Sequence, residues 1–96
     1  MRALSESLAD HTFLDVRARL AKRLLALQQA YGREVPDGTR IELRLSQEAL
    51  GDMVGATRES VNKNFRHWGE QRVASMVGGF VTIHSTAHLE ELVRGV

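Results

Sequence analysis

The stretch Ser46-Gln47-Glu48-Ala49-Leu50-Gly51-Asp52-Met53-Val54-Gly55-Ala56-Thr57-Arg58-Glu59-Ser60-Val61-Asn62-Lys63 puts its apolar and small residues where two short helices must cross. Ser46 and Thr57 each precede a helical pattern, and each hydroxyl can accept from a backbone N–H of the first turn that has no partner within the helix. Gly55 supplies the turn, and Gly51 leaves room for the second backbone to approach. Leu50, Met53 and Val54 are expected to point inward from the first helix, Val61 and Phe65 from the second. The pattern is that of a helix-turn-helix. Rotation from Val61 leaves Glu59, Asn62, Lys63 and Arg66 on the opposite face, with Arg58 at its edge near the N-terminus. These side-chain types hydrogen-bond to base edges and phosphates in a major groove.

Working outward, Val73 to Val77 and Phe80 to Ile83 are β-prone runs joined by Gly78-Gly79, a two-residue hairpin signal that suits a type I′ turn. Upstream, Thr39 to Leu45 alternates, with Ile41, Leu43 and Leu45 on one side and Arg40, Glu42 and Arg44 on the other, as in a half-buried strand. Gly32 to Gly38, holding Pro36 and Asp37-Gly38, reads as a turn-rich connector. From about Asp10 to Ala30, Phe13, Val16, Leu20, Leu24 and Leu27 recur at helical spacing, with Asp10 or Thr12 as cap and Gly32 as the stop. Residues 1–8 have no clear pattern and are taken as a linker or the remnant of a preceding helix, the domain proper spanning 9–96. Ser85 to Val93 offers Leu89, Leu92 and Val93 for a short closing helix capped by Ser85 or Thr86. The fold class expected is mainly α with a small antiparallel β-sheet (α+β): a winged helix-turn-helix with a three-helix core and a β-hairpin wing.

The chain has 96 residues and no cysteine. A domain of this size buries only roughly 60 to 65% of its unfolded surface, which favours a binding module over an enzyme with a deep cavity. Thiolate metal sites, disulfides and cysteine nucleophiles are excluded from these residues. No apolar run is long enough to span a bilayer, no charged-then-apolar leader follows Met1, and a cytoplasmic location is expected. The net charge of +1 does not by itself mark a nucleic-acid binder. Its distribution matters more, because Arg58, Lys63, Arg66 and Arg72 gather in the second helix of the motif and just beyond. No nucleophile, base and orienting acid converge on one pattern, so no catalytic residue is expected. His84 and His88, four apart, lack a third ligand, and no metal site is expected. Phe65 and Trp68 fall at core spacing and do not suit a stacking platform for single strands.

The order helix, strand, helix-turn-helix, hairpin resembles the C-terminal DNA-binding domain of the Crp/Fnr family of bacterial transcription regulators. The resemblance runs from Leu8 to Ile83. It rests on the Phe13-Leu14-Asp15-Val16-Arg17-Ala18-Arg19-Leu20-Ala21 opening, the Leu45-Ser46-Gln47-Glu48 entry and the Gly55-Ala56-Thr57-Arg58-Glu59-Ser60-Val61-Asn62-Lys63 core. It implies that Arg58, Glu59 and Lys63 read bases. Arg58 can fork onto a guanine O6 and N7, Glu59 can accept from a cytosine N4, and Lys63 can reach a further guanine or a phosphate. Asn62 is a further base-reading candidate. Ser46, Gln47, Thr57, Ser60 and Arg66 are phosphate candidates, joined by Gly78 and Gly79 from the position of the wing.

The family's Leu-Glu-x-x-Gly ending is replaced here by Trp68-Gly69-Glu70-Gln71-Arg72, so Gly69 is expected to end the recognition helix early. The resemblance also implies an effector-binding N-terminal domain and a dimerisation helix in a longer protein. The expected partner is then duplex DNA with a palindromic TGTGA-type site, read by a homodimer, with RNA polymerase a further partner. The isolated domain, itself without cofactor, is expected to be monomeric or weakly associating. Two rival readings are a winged-helix protein-interaction module and a structured-RNA binder.

Overall fold

The structure, a computed structural model, describes residues 4–94, with side chains from residue 16 onward. Its elements are α1 (Leu4–Tyr31), β1 (Gly32–Val35), β2 (Gly38–Ile41), α2 (Gln47–Val54), α3 (Arg58–Glu70), β3 (Ala74–Val77), β4 (Phe80–Ile83) and α4 (Thr86–Arg94). Helices enclose the core on one side and a small antiparallel sheet closes it, which is the α+β winged helix-turn-helix expected.

The first helix is already formed at Leu4, well before Asp10, so Asp10 and Thr12 lie inside it and not at its start. Phe13, expected on its apolar face, lies outside the residues whose side chains are described. Val16, Leu20, Ala21 and Leu24 are buried, one stripe at helical spacing. Gly32 follows the helix as expected, but the need for glycine there is one of space: a Cβ would sit 2.3 Å from the Gln28 carbonyl oxygen.

The connector after Gly32 is a hairpin. Its strands β1 and β2 pair antiparallel, Val35 opposite Gly38, around Pro36-Asp37. The expected strand Thr39–Leu45 forms a ladder only to Ile41. Beyond it the backbone bonds elsewhere, the Glu42 N–H donating to the Tyr31 carbonyl (2.8 Å) and the Leu45 N–H to the Gly79 carbonyl (2.7 Å). The alternation nevertheless continues in burial, since Ile41 and Leu45 are buried while Glu42 and Arg44 are exposed. The second hairpin, β3 with β4, turns through Gly78 (φ 61°) and Gly79 (φ 85°), both positive as a type I′ turn requires. The two hairpins join edge to edge in the order β1-β2-β4-β3.

Both motif helices begin as read. Ser46 Oγ accepts from the Ala49 N–H (2.9 Å) and Thr57 Oγ1 from the Ser60 N–H (3.1 Å). Gly55 takes the left-handed conformation (φ 70°, ψ 43°) at the end of α2. Gly51 is needed at the crossing, because a Cβ there would lie 2.6 Å from the Ala56 carbonyl oxygen. Leu50, Val54, Val61, Phe65 and Trp68 form the core with Leu20, Leu24 and Ile83. Phe65 and Trp68 meet edge to face at 5.7 Å. Met53 departs from its expected inward place and is 38% exposed. The reason is that α1 meets α2 at its C-terminal end, where Arg19 Nε donates to the Val54 carbonyl (2.8 Å), leaving Met53 on the rim. Gly69 does not end α3, which continues to Glu70, and Arg72 then takes a left-handed φ of 58°. The closing helix α4 is capped by Ser85, whose Oγ accepts from the His88 N–H (3.3 Å), and buries Leu89. Gln28 Nε2 donates to Thr86 Oγ1 (3.0 Å) and fastens α4 to α1.

Candidate nucleic-acid interface

Arg58, Glu59, Asn62, Lys63 and Arg66 are all exposed on the face of α3 turned away from Val61, Phe65 and Trp68. The N-terminus of α2 lies beside this face, since Gln47 Nε2 donates to Asn62 Oδ1 (3.1 Å). Two sequence-predicted residues, one expected on phosphate and one on bases, are thus in contact with each other. Ser46 and Thr57 are exposed and spend an oxygen lone pair on capping, but each hydroxyl keeps its O–H as a donor for an anion approaching the helix start. Ser60 is half-buried; its backbone N–H serves the Thr57 cap and its carbonyl accepts from Asn64 Nδ2 (2.9 Å).

The wing is tied to the same surface. Besides the Leu45–Gly79 backbone bond, Arg44 Nη1 donates to the Gly78 carbonyl (3.2 Å), and its guanidinium lies 5.1 Å from the centre of the Phe80 ring. Arg40 stacks on the same ring at 4.4 Å. Gly78 and Gly79 are therefore held next to the residues that lead into Ser46. Arg44 was not singled out from the sequence, although the outward register of Arg40, Glu42 and Arg44 placed it on the exposed side. Asn64 is a second such residue, fully buried in a helix where polar residues were read as outward.

The histidines are used differently. His84 precedes α4, so it shares no helix face with His88. Its Nε2 meets Ser75 Oγ (2.9 Å) and its Nδ1 the Asp37 carbonyl (2.8 Å), pinning the β1–β2 turn to the wing. Among the described residues no three His, Cys, Asp or Glu side chains gather as a metal site, and no helix is long and apolar enough to cross a membrane.

The model of the Crp-like helix-turn-helix domain matches residues 18–92. The chain belongs to this family. A CRP-like cAMP-activated global transcriptional regulator of Mycobacterium tuberculosis is 34% identical over 94 residues, covering 98% of this chain and 42% of the relative. A global nitrogen regulator of a Synechocystis strain is 32% identical over 77 residues, 80% of this chain and 34% of the relative. Among solved structures, the CO-dependent transcription factor CooA of Carboxydothermus hydrogenoformans superposes with a TM-score of 0.80 at 26% identity, covering 93% of this chain and 42% of that one. The Thermus thermophilus catabolite activator protein does so at 0.75 and 25%, covering 95% and 39%. The Crp-like chain thus spans less than half the length of these relatives, of which the Mycobacterium tuberculosis protein and CooA are transcription regulators by name. It is of the type that serves such regulators as their DNA-binding domain.

Proposed function

We propose that the exposed face of α3 enters the major groove of duplex DNA and reads sequence. In this reading Arg58 and Glu59 recognise a G·C pair, Asn62 and Lys63 make further base contacts, and Arg66 neutralises phosphate. The starts of α2 and α3, with Ser46, Gln47, Thr57 and Ser60, and the wing turn Gly78-Gly79 follow the backbone. The observation that supports it best is the continuity of one surface: α3's polar face, the capped start of α2 and the glycine turn are linked by the Gln47–Asn62 and Leu45–Gly79 hydrogen bonds. Glu59 favours sequence reading over general affinity, since a carboxylate facing phosphates is repelled unless a base donor compensates it.

In a full-length regulator the domain would act in a two-fold dimer on a palindromic TGTGA-type site, its pose set by a small effector bound elsewhere, with RNA polymerase a further partner, all in the cytoplasm. The test is fluorescence anisotropy across a salt series with a palindromic TGTGA duplex and a scrambled duplex, for the native chain and Glu59→Ala. The native chain should prefer the palindrome, and the variant should lose that preference while keeping its affinity for the scrambled duplex. If an artificially dimerised chain binds neither duplex at low salt, the protein-interaction reading takes over. Competition by duplex RNA, whose narrow major groove excludes α3, would favour the RNA reading.

A further inference from the structure

Among the described residues Asn64 alone is a polar side chain in the fully buried set. On α3 it stands with Val61, Phe65 and Trp68 on the face packed into the core. Its Nδ2 donates to the Ser60 carbonyl one turn back (2.9 Å), and its Oδ1 accepts from Arg17 Nε of α1 (3.4 Å). Ser60 in turn gives its N–H to the Thr57 cap. The chain of contacts runs from α1 through the middle of α3 to its first turn, where Arg58 and Glu59 begin the exposed face. Two residues further along α1, Arg19 holds the last carbonyl of α2. The first helix therefore grips each helix of the motif at a defined atom.

Apolar packing is non-directional and tolerates small slides and rotations of one helix over another, whereas a hydrogen bond is satisfied only near one geometry. A buried polar group that stability alone does not call for is best attested as a device that selects one register. We propose that Asn64 is a positioning residue: bonded to Arg17, it fixes the rotation and axial register of α3 on α1, and so the pose in which Glu59 and Lys63 meet a groove. A displacement of α1 is then carried to the reading face through this link. The part that concerns groove reading rests on the function proposed above; the part that concerns helix pose does not.

The test uses the 96-residue chain and three readouts for Asn64→Leu: thermal midpoint, residual dipolar couplings that report the angle between α1 and α3, and the affinity ratio between the palindromic and scrambled duplexes. The midpoint should hold or rise, the α3 couplings should no longer fit the native orientation, and the ratio should fall about tenfold, the size of one lost base contact. Affinity for the scrambled duplex should not change. Arg17→Leu should reproduce the altered α3 couplings, and the effects of the two substitutions should be non-additive in the double variant, as for residues in contact. Unchanged couplings in Asn64→Leu, or losses on both duplexes that only track a lowered midpoint, overturn the proposal. Should Asn64→Leu fail to fold, the couplings of Arg17→Leu decide it in the same way. A native chain that does not distinguish the duplexes would remove the DNA reading and leave the couplings to judge the pose.

Discussion

Val61, Asn64, Phe65 and Trp68 along one side of α3 are buried, while Arg58, Glu59, Asn62, Lys63 and Arg66 along the other stand in solvent. The first set decides where the helix lies and the second what it can touch, so damage to each should be read by a different instrument. The largest separation is expected from Trp68→Ala. Trp68 is fully buried against Phe65, and its indole N–H makes no hydrogen bond among the described residues, so it serves the fold by volume alone. Truncating a buried aromatic costs about 3 to 5 kcal/mol, a large share of the stability of a small domain. Urea unfolding should show that loss in the midpoint, while the folded fraction binds DNA with native salt dependence. A variant that is fully folded yet silent on DNA would break the division between the faces.

On the other side, Arg58→Ala should leave the urea midpoint within about 0.5 kcal/mol of native, as for an exposed residue whose side chain neither packs in the core nor supplies the Thr57 cap beside it. It should cost about 1 to 3 kcal/mol of discrimination at one base pair. Arg66→Ala is the contrast within the same face: affinity should fall alike on all sequences, and the slope of log K against log salt should drop by about 1. If Arg58→Ala weakens all sequences equally, the base-reading part of the face shrinks to Glu59, Lys63 and Asn62.

The buried and exposed sides of α3 were legible in the sequence to different depths. The spacing of Val61, Phe65 and Trp68 and the caps Ser46 and Thr57 set the motif, because periodicity and capping are local properties. Asn64 falls on the same periodic stripe, at three residues from Val61 and four from Trp68, but its polarity argued for solvent and hid it. Its burial becomes evident only with its partner Arg17, 47 residues away. Strand β1 was hidden for the opposite reason. Its residues Gly32 to Glu34 are exposed, so pairing to β2 leaves no apolar alternation to read. Met53 was misplaced because spacing names the apolar face of α2 but not where α1 crosses it. The contact between Gln47 and Asn62 likewise depends on the angle between two helices, which no local pattern encodes.

The end of α3 belongs to neither face, and there two residues stand in each other's conformational place. Gly69 is helical, with open space where a Cβ would go, while Arg72 adopts a φ of 58° that disfavours any residue with a Cβ. In the related family pattern the glycine comes at the last of these positions, where the left-handed turn is. Gly69→Ala should therefore raise stability by about 0.5 to 1 kcal/mol through helix propensity and a less free unfolded chain. Arg72→Gly relieves roughly 1 to 2 kcal/mol of left-handed strain and gives back about half of that to unfolded-state entropy, a smaller gain. The Arg72 N–H donates to the Gly69 carbonyl (3.2 Å), so the two gains share one turn and need not add, but the double variant should melt above either single one. Neither should alter the salt slope of DNA binding if Arg72 lies off the interface. A reduced slope in Arg72→Gly alone would instead extend the reading surface past the end of α3, toward the turn between Glu70 and Val73.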